Sequence, residues 1–468
     1  MKGSSSKSVP AVIGAVLVAT FAASAPSAWA APKAGDRCAP KQVGTSSGTL
    51  RCVKEGSLRR WRPSPSTKPS AVTSAPAAPA PASSVATSSA GATGTSGATK
   101  EPIKIGVALG QTGASTASLA QDQTLATRLA ERFFNDRGGV NGRPIKLVFQ
   151  DTGPDAPGAI NAFNTLIDSD KVVGIVGPTL SAQAFAADPI AEKAKVPVVA
   201  PSNTAAGVPQ IGDYIQRVSA GVAAYAGNTV KYARTLQLMS KAAVFYAQDD
   251  AFSRSETVVF QDAIKAGNIT LLPPQTFLVN DTDFTQQTQY VQRERPDLVA
   301  ISGLATSGNL VKQLRDSGYN GVIIGGNGLN VVQTFAVCKQ QCEGIIVAQA
   351  YSPDIPRTGM NADFKAAFVA DQKREPGQLA AQAFTSVQVF VEALTALDKA
   401  GKLTTDLGAT RRELNDTILS GKYSTPLGDI SFDKDGDVNQ KNFYVAQIHM
   451  LRGDTSDVFS GKFSYVSF

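Results

Sequence analysis

The amino-acid sequence predicts an α/β fold in two lobes, with parallel sheets flanked by helices. Apolar runs typical of buried strands alternate with amphipathic stretches of helical period through most of residues 101–468. Strands that alternate with helices pair in parallel and carry helices on both faces of the sheet. About 370 residues exceed what one hydrophobic core normally holds, so we expect two cores.

The first strand–helix–strand unit is the clearest of the series. A β-branched run with Ile103, Ile105 and Val107 ends at a Gly/Thr-rich turn, and an amphipathic stretch covers 119–137. A second apolar run begins at Ile145 and ends at Asp151. The same reasoning predicts further strands at 171–177, 197–202, 242–248, 269–272, 298–303 and 321–326, with helices at 156–168, 255–266 and 309–317 and another that ends near 194.

The first thirty residues are predicted to be a signal peptide and not part of the fold. Lys2 and Lys7 precede an apolar run over 9–25, and Ala28-Trp29-Ala30 provides a small-x-small cleavage site. We therefore expect an exported protein, extracellular or associated with the cell envelope. The sequence before the first mature cysteine is Gly-Asp-Arg, which does not match the lipoprotein pattern, so no lipid anchor is expected.

Composition divides residues 31–100 into two segments, and the charge of the chain is uneven in the same region. Residues 31–62 form a small basic module, whereas 63–100 are an Ala/Pro/Ser-rich linker that cannot bury a core. Residues 1–100 carry 12 Lys and Arg against 2 Asp and Glu, which leaves 33 against 36 for the remainder. The module could bind an anionic cell-wall polymer or could simply be a solvated basic segment. Nucleic acid is not expected as a partner of an exported protein.

Cysteine and histidine usage argues against metal and nucleophilic chemistry. The chain has a single histidine, His449, and four cysteines, which in an exported protein predict two local disulfides. No metal, cofactor or catalytic residue is therefore predicted. The motif DKDGD at 433–437 is predicted to be a β-turn, because Tyr444 occupies the position of the closing Glu of a calcium loop. The expected disulfide pairs are Cys38 with Cys52 and Cys338 with Cys342.

Several ordered motifs carry a family resemblance over nearly all of 101–468. They are the TG loop at 112–113, GGVNGR, VVGIVGPTLS, VPVVAPSNT, the DTDFT segment, GYNGVIIGGNG and GDISFDKDGD. In this order the chain resembles the type I periplasmic binding proteins of the leucine/isoleucine/valine-binding family, the receptors of ABC transporters. The resemblance implies three hinge crossovers, a first lobe of 101–221 and 350–425, and a second lobe of 222–349 and 426–468.

One wall of the implied cleft contains hydroxyl side chains at strand-to-helix turns. Helix N-termini have unpaired N–H groups and a positive dipole end, which suit a ligand carboxylate. Ser181, Ser202 and Thr204 occupy such turns, and they match the family positions that hold the α-carboxylate of the ligand. As N-cap residues they could instead satisfy only helix donors. The same wall is expected to include Gln111, Thr112, Gly113 and Asn203.

The opposite wall departs from the family pattern. Amino-acid-binding members have an acidic residue where this chain has Asn327, and a neutral amide cannot compensate a buried ammonium group. Phe252 stands at an aromatic position, and Ala305 lies where another aromatic residue is expected. We therefore expect a small carboxylate- or amide-bearing ligand and not an unmodified branched-chain amino acid.

Two functions remain open from the sequence. The first is a solute-binding receptor that closes on its ligand and delivers it to a membrane ABC permease. The second is a cell-wall-tethered ligand sensor or scaffold of the same fold with no transport role. An enzyme is not expected, because the cleft motifs contain no histidine, free thiol or carboxylate pair.

Overall fold

A computed structural model describes the backbone of residues 46–47, 50–55 and 58–63, together with residues 101–453, 457 and 459–466 in full. The chain divides into two compact units, Met1–Gly94 and Thr95–Phe468. The predicted signal peptide, the Cys38–Cys52 disulfide and most of the linker lie outside the described residues.

The described part of the first unit is a three-stranded antiparallel sheet. Its strands are β1 (Ser46–Ser47), β2 (Leu50–Glu55) and β3 (Leu58–Pro63). Strand β2 is central, and its Cys52 stands opposite Trp61 of β3.

A five-stranded parallel sheet forms the centre of the first lobe. The spatial order is β5-β4-β6-β7-β8, and every neighbouring pair is parallel. The predicted α/β alternation is thus confirmed here, although α1 begins at Ala114, before the first apolar position of its pattern. The elements are β4 (Ile103–Leu109), α1 (Ala114–Asn135), β5 (Ile145–Asp151), α2 (Ala156–Asn164), β6 (Ile175–Val176), α3 (Ser181–Ala194), β7 (Val198–Ala200) and β8 (Ile215–Arg217).

The second lobe contains a larger sheet. Strands β9 to β14 pair in parallel, as the sequence predicts, and β11 is an additional short strand that pairs with β9. The elements are α4 (Gly227–Leu236), β9 (Lys241–Ala247), α5 (Ala251–Ala266), β10 (Thr270–Leu271), β11 (Gln275–Phe277), α6 (Thr285–Glu294), β12 (Leu298–Ser302), α7 (Gly308–Asp316), β13 (Val322–Gly325), α8 (Gln333–Cys338) and β14 (Ile346–Gln349).

The C-terminal part of the chain contributes to both lobes. Its helices α9 (Met360–Gln372), α10 (Gln378–Lys399) and α11 (Leu407–Ser420) pack on the core of the first lobe. A small antiparallel sheet of β15 (Lys422–Thr425), β16 (Gly428–Phe432) and β17 (Val438–Asn439) adds Ile430 and Phe432 to the same core. Strands β18 (Tyr444–Met450) and β19 (Gly461–Val466) then join the second sheet, antiparallel beside β14.

The chain therefore passes between the lobes three times. The crossovers lie between β8 and α4, between β14 and α9, and between β17 and β18. The DKDGD segment lies between β16 and β17, just before the third crossover, and forms the predicted turn, in which the Asp433 carboxylate accepts the N–H groups of Asp435 and Asp437.

Among the residues that the structure describes, α10 alone is long and apolar enough to cross a membrane. However, 83% of its most apolar window is buried inside the protein. Its Phe384 packs against Phe133 of α1 and Phe364 of α9 in the core of the first lobe. This helix is accordingly the central core helix of the first lobe.

Cys338 and Cys342 are joined by a disulfide at the end of α8. Both residues are buried in the core of the second lobe, beside Phe335. The bond closes the short turn that leads from α8 to β14.

Candidate functional site

The first wall of the cleft is built at the turns that follow β6 and β7. Ser202 Oγ accepts a hydrogen bond from Gln123 Nε2 at 2.7 Å and donates one to Thr179 O at 2.7 Å. The Thr179 hydroxyl donates to Gln123 Oε1 at 3.0 Å and accepts the N–H of Gly110. Ser181 is the first residue of α3, and its hydroxyl accepts the N–H of Ala205 at 3.3 Å. These bonds fix three hydroxyl groups at the N-terminus of α3.

In the loop after β4, Gln111 and Thr112 form hydrogen bonds with Asp151 of β5. The Asp151 carboxylate at the end of β5 accepts the N–H groups of Gln111, Thr112 and Gly153 and the Thr112 hydroxyl, the last at 2.6 Å. Burial raises the pKa of Asp151, but these hydrogen bonds outweigh it and lower the pKa. The structure thus holds Gln111 and Thr112 against β5, and Gly113 is the N-cap residue that precedes α1.

The second wall comes from the turns after β9, β12 and β13. Phe252 in the first turn of α5, Leu304 and Asn327 are buried. Ala305 packs beside Leu304 in the same apolar cluster. Leu119 of α1 and Leu379 of α10 reach this cluster from the first lobe, so the two walls are in contact.

A small cavity remains between the walls, which we call the cleft cavity. Its volume is about 20 Å³, enough for about one water molecule. All of its lining residues are uncharged, so a ligand that entered would be recognised by hydroxyls, amides and apolar surface. The lining residues are Leu119, Thr179, Leu180, Ser181, Ser202, Phe252, Leu304, Asn327, Gly328 and Leu379. A ligand larger than water therefore requires the lobes to move apart.

Amide side chains join the closed lobes. Gln378 at the start of α10 donates from Nε2 to Asn327 Oδ1 at 2.6 Å, and its Oε1 accepts from Asn330 Nδ2 at 3.0 Å. On the outer side, Gln333 Nε2 donates to Gln121 Oε1 at 3.0 Å. Opening the cleft breaks these bonds and exposes the amides to water.

Of the ten residues predicted to bind the ligand, four line the cleft cavity: Ser181, Ser202, Phe252 and Asn327. Asn203 is buried behind the wall, and its amide donates to Pro178 O and Thr179 O. Thr204 is also buried but lines a different cavity. The role of each of these residues in ligand binding stays a prediction.

Gln123, Gln378 and Glu256 belong to the site but were not foreseen from the sequence. Glu256 of α5 is fully buried, and its Oε1 accepts the N–H of Asn327 at 3.0 Å. Gly326 has no room for a side chain, because a Cβ there would overlap this carboxyl group. Burial raises the pKa of Glu256 to about 8, although the Asn327 N–H and the Ser302 hydroxyl act in the opposite direction. Near neutral pH the acid behind Asn327 is therefore mostly uncharged.

We expect the free energy of unfolding to fall as the pH rises from about 5 to 8. The folded chain keeps a proton on Glu256 that the unfolded chain, with a glutamate pKa of about 4.3, has already released. The slope from this group is at most about 1.4 kcal/mol per pH unit. Urea titrations at several pH values measure it, and Glu256→Gln should flatten the curve. An unchanged slope in that variant would show that another group is responsible.

Comparison with known proteins agrees with this two-walled geometry. A family model described as periplasmic binding protein matches residues 102–455, which is most of the chain. The chain belongs to the periplasmic binding protein family. It is accordingly a solute-binding protein of the cell envelope and not an enzyme, and members of this family are exported.

Individual relatives of this periplasmic binding protein are distant in sequence. It is 26% identical over 345 residues to the Leu/Ile/Val-binding protein BraC3 of Rhizobium johnstonii, covering 73% of this chain and 90% of that protein. Its fold is similar to that of the leucine-binding protein LivK of Thermotoga maritima, with a TM-score of 0.68 and 23% identity over 77% of this chain and 97% of that one. A solute-binding protein of an ABC transporter from Rhodopseudomonas palustris, solved with 3,4-dihydroxybenzoic acid, gives a TM-score of 0.65 and 24% identity, covering 75% and 94%.

Proposed function

We propose that this periplasmic binding protein is an exported receptor that closes on a small carboxylate- or amide-bearing ligand and delivers it to an ABC permease. The supporting observation is the set of ordered hydroxyls of Thr179, Ser181 and Ser202 at the N-terminus of α3, facing an uncharged cavity. Binding between the lobes would replace the apolar contacts that hold them together now.

A carboxylate fits the first wall for a physical reason. The first N–H groups of a helix have no intrahelical acceptor, and the helix dipole places partial positive charge at the same end. The Ser181 hydroxyl accepts the N–H of Ala205, so its own proton is free for an anion. Gln123 and Thr179 O hold the adjacent Ser202 in place. An amide oxygen can use the same donors, with less electrostatic gain.

The second wall argues against a free ammonium group on the ligand. Asn327 offers a neutral amide where amino-acid receptors of this family have an acid, and an amide cannot compensate a buried ammonium group. Glu256 lies behind it, mostly protonated near neutral pH. Asp250 and Asp249 are engaged elsewhere, at the N-cap of α5 and with the N–H of Val279. An aliphatic or aromatic carboxylate, or an amide, is therefore favoured over leucine or valine.

A thermal-shift screen of the mature protein tests the receptor function. A ligand at about 100 times its dissociation constant should add about 2.7 kcal/mol to the free energy of unfolding. Ser181→Ala removes one donor to the ligand carboxylate and should weaken binding about tenfold or more. Ser420→Ala, an exposed serine on α11, is the matched control and should bind normally. A ligand whose affinity is unaffected by Ser181→Ala would contradict the carboxylate wall.

The alternative, a cell-wall-tethered sensor or scaffold, is favoured by one observation. The excess of basic residues lies in the first 100 positions and not in the binding lobes. Binding of the full chain to purified cell wall at low salt, compared with a chain that lacks 31–62, tests it. Equal binding of the two chains would refute a tether in this segment.

A further inference from the structure

A second and much larger cavity lies beside the hinge, and we call it the hinge cavity. Its volume is about 800 Å³, within the range typical of small-molecule sites. Its walls come from the loop after β7, from α5 of the second lobe, and from the first and third crossovers. It shares no lining residue with the cleft cavity.

The walls of the hinge cavity are largely apolar. Val222 of the first crossover, Val258 of α5 and Phe443 of the third crossover line it from three sides. Val258 is 54% exposed, so about half of its apolar surface is open to water. An occupant with an apolar body would remove this surface from water.

Cationic groups predominate among the charges of the hinge cavity. Arg217 is buried and paired with Asp437, so these two charges compensate one another. Arg254 is exposed, and within the described structure its guanidinium donates one hydrogen bond, to Gln248 O. Its remaining N–H groups are free to bind an anion in the planar, two-pronged manner typical of arginine and carboxylate.

We infer that the hinge cavity binds a small organic carboxylate with an apolar body, held by Arg254 and distinct from any ligand of the cleft. The occupant touches both lobes close to the point where the Ala206 N–H donates to Ser255 Oγ across the interface. It therefore binds best when the lobes are close together, and it favours that arrangement.

Isothermal titration calorimetry of the mature protein with benzoate, hexanoate and the neutral isostere benzyl alcohol tests the inference. We expect at least one carboxylate to bind, and Arg254→Gln to weaken it about tenfold or more. Lys265→Gln removes a cation from the exposed end of the same helix and should leave the affinity within about twofold. Val258→Glu, which brings a negative charge to the cavity, should also weaken binding.

The outcomes separate the two sites. A carboxylate whose binding is lost in Arg254→Gln and retained in Ser181→Ala supports the hinge cavity. A carboxylate whose binding is lost in Ser181→Ala and retained in Arg254→Gln overturns the inference and supports the cleft receptor instead. The inference also fails if no probe binds, or if benzyl alcohol binds as tightly as benzoate. Unchanged thermal unfolding of the ligand-free Arg254→Gln protein guards against loss of fold.

Discussion

Replacing Arg217 with methionine is expected to lower the free energy of unfolding by about 3 to 5 kcal/mol. Arg217 is buried at the end of β8, and its guanidinium makes two hydrogen bonds to the Asp437 carboxylate at 2.7 and 2.8 Å. It also donates to the carbonyl oxygens of Asn203 and Ala205. Methionine keeps the volume but leaves two carbonyl oxygens without donors and the Asp437 carboxylate with the N–H of Val438 alone.

Urea denaturation measures this loss, provided that the slope with denaturant is unchanged. The control is Arg132→Met, which breaks an ion pair with Asp371 in which both side chains are exposed. That variant should change the free energy of unfolding by less than about 1 kcal/mol. Equal effects of the two replacements would mean that the buried pair at the hinge contributes no more than a surface pair. Arg217 ends β8 before the first crossover, and Asp437 directly precedes β17 and the third crossover, so Arg217→Met should also loosen the link between these two segments.

Phe384→Ala should cost about 3 to 5 kcal/mol of unfolding free energy. Phe384 lies in the middle of α10 and is fully buried. Its ring contacts Phe133 and Phe134 of α1 and Phe364 of α9, with ring centroids 4.8 to 5.4 Å apart. Alanine leaves a cavity at the point where three helices of the first lobe meet, and their backbones cannot close it without losing other contacts.

The matched control for this replacement is Phe185→Ala on α3, whose side chain is 40% exposed. It should cost less than about 1 kcal/mol, since little apolar surface is lost from the core. Thermal and urea unfolding of both variants measure the difference. A cost below about 1.5 kcal/mol for Phe384→Ala would show that the first lobe repacks around the missing ring.

The sequence predicted the strands best where they are central and parallel. The runs at 298–303 and 321–326 become β12 and β13, because a strand buried on both faces requires a continuous apolar run. Strand β11 and the hairpin of β15 and β16 were not predicted. They are short or lie at an edge, where polar residues interrupt the pattern.

Within the candidate site, the residues predicted from motifs have a local sequence signature, whereas the residues found only in the fold have none. Ser181 and Ser202 were found because hydroxyls at strand-to-helix turns have a local signature. Glu256 lies in the middle of a helix, and Gln378 is separated from Asn327 by 51 positions, so neither has a local signal. The TG loop was also predicted to face the ligand, and only the structure places Gln111 and Thr112 against Asp151.

By itself the sequence determined the α/β class, the order of strands and helices and the family, because each depends on hydrophobic period and on motifs read along the chain. The tertiary structure decided which polar groups form hydrogen bonds, that the Glu256 carboxyl group is mostly uncharged near neutral pH, and where the cleft cavity and the hinge cavity lie. Burial of Glu256 and pairing of Arg217 with Asp437, 220 positions away, depend on the path of the chain through both lobes. Long-range contacts and desolvation have no local pattern, so they appear only when the lobes are assembled.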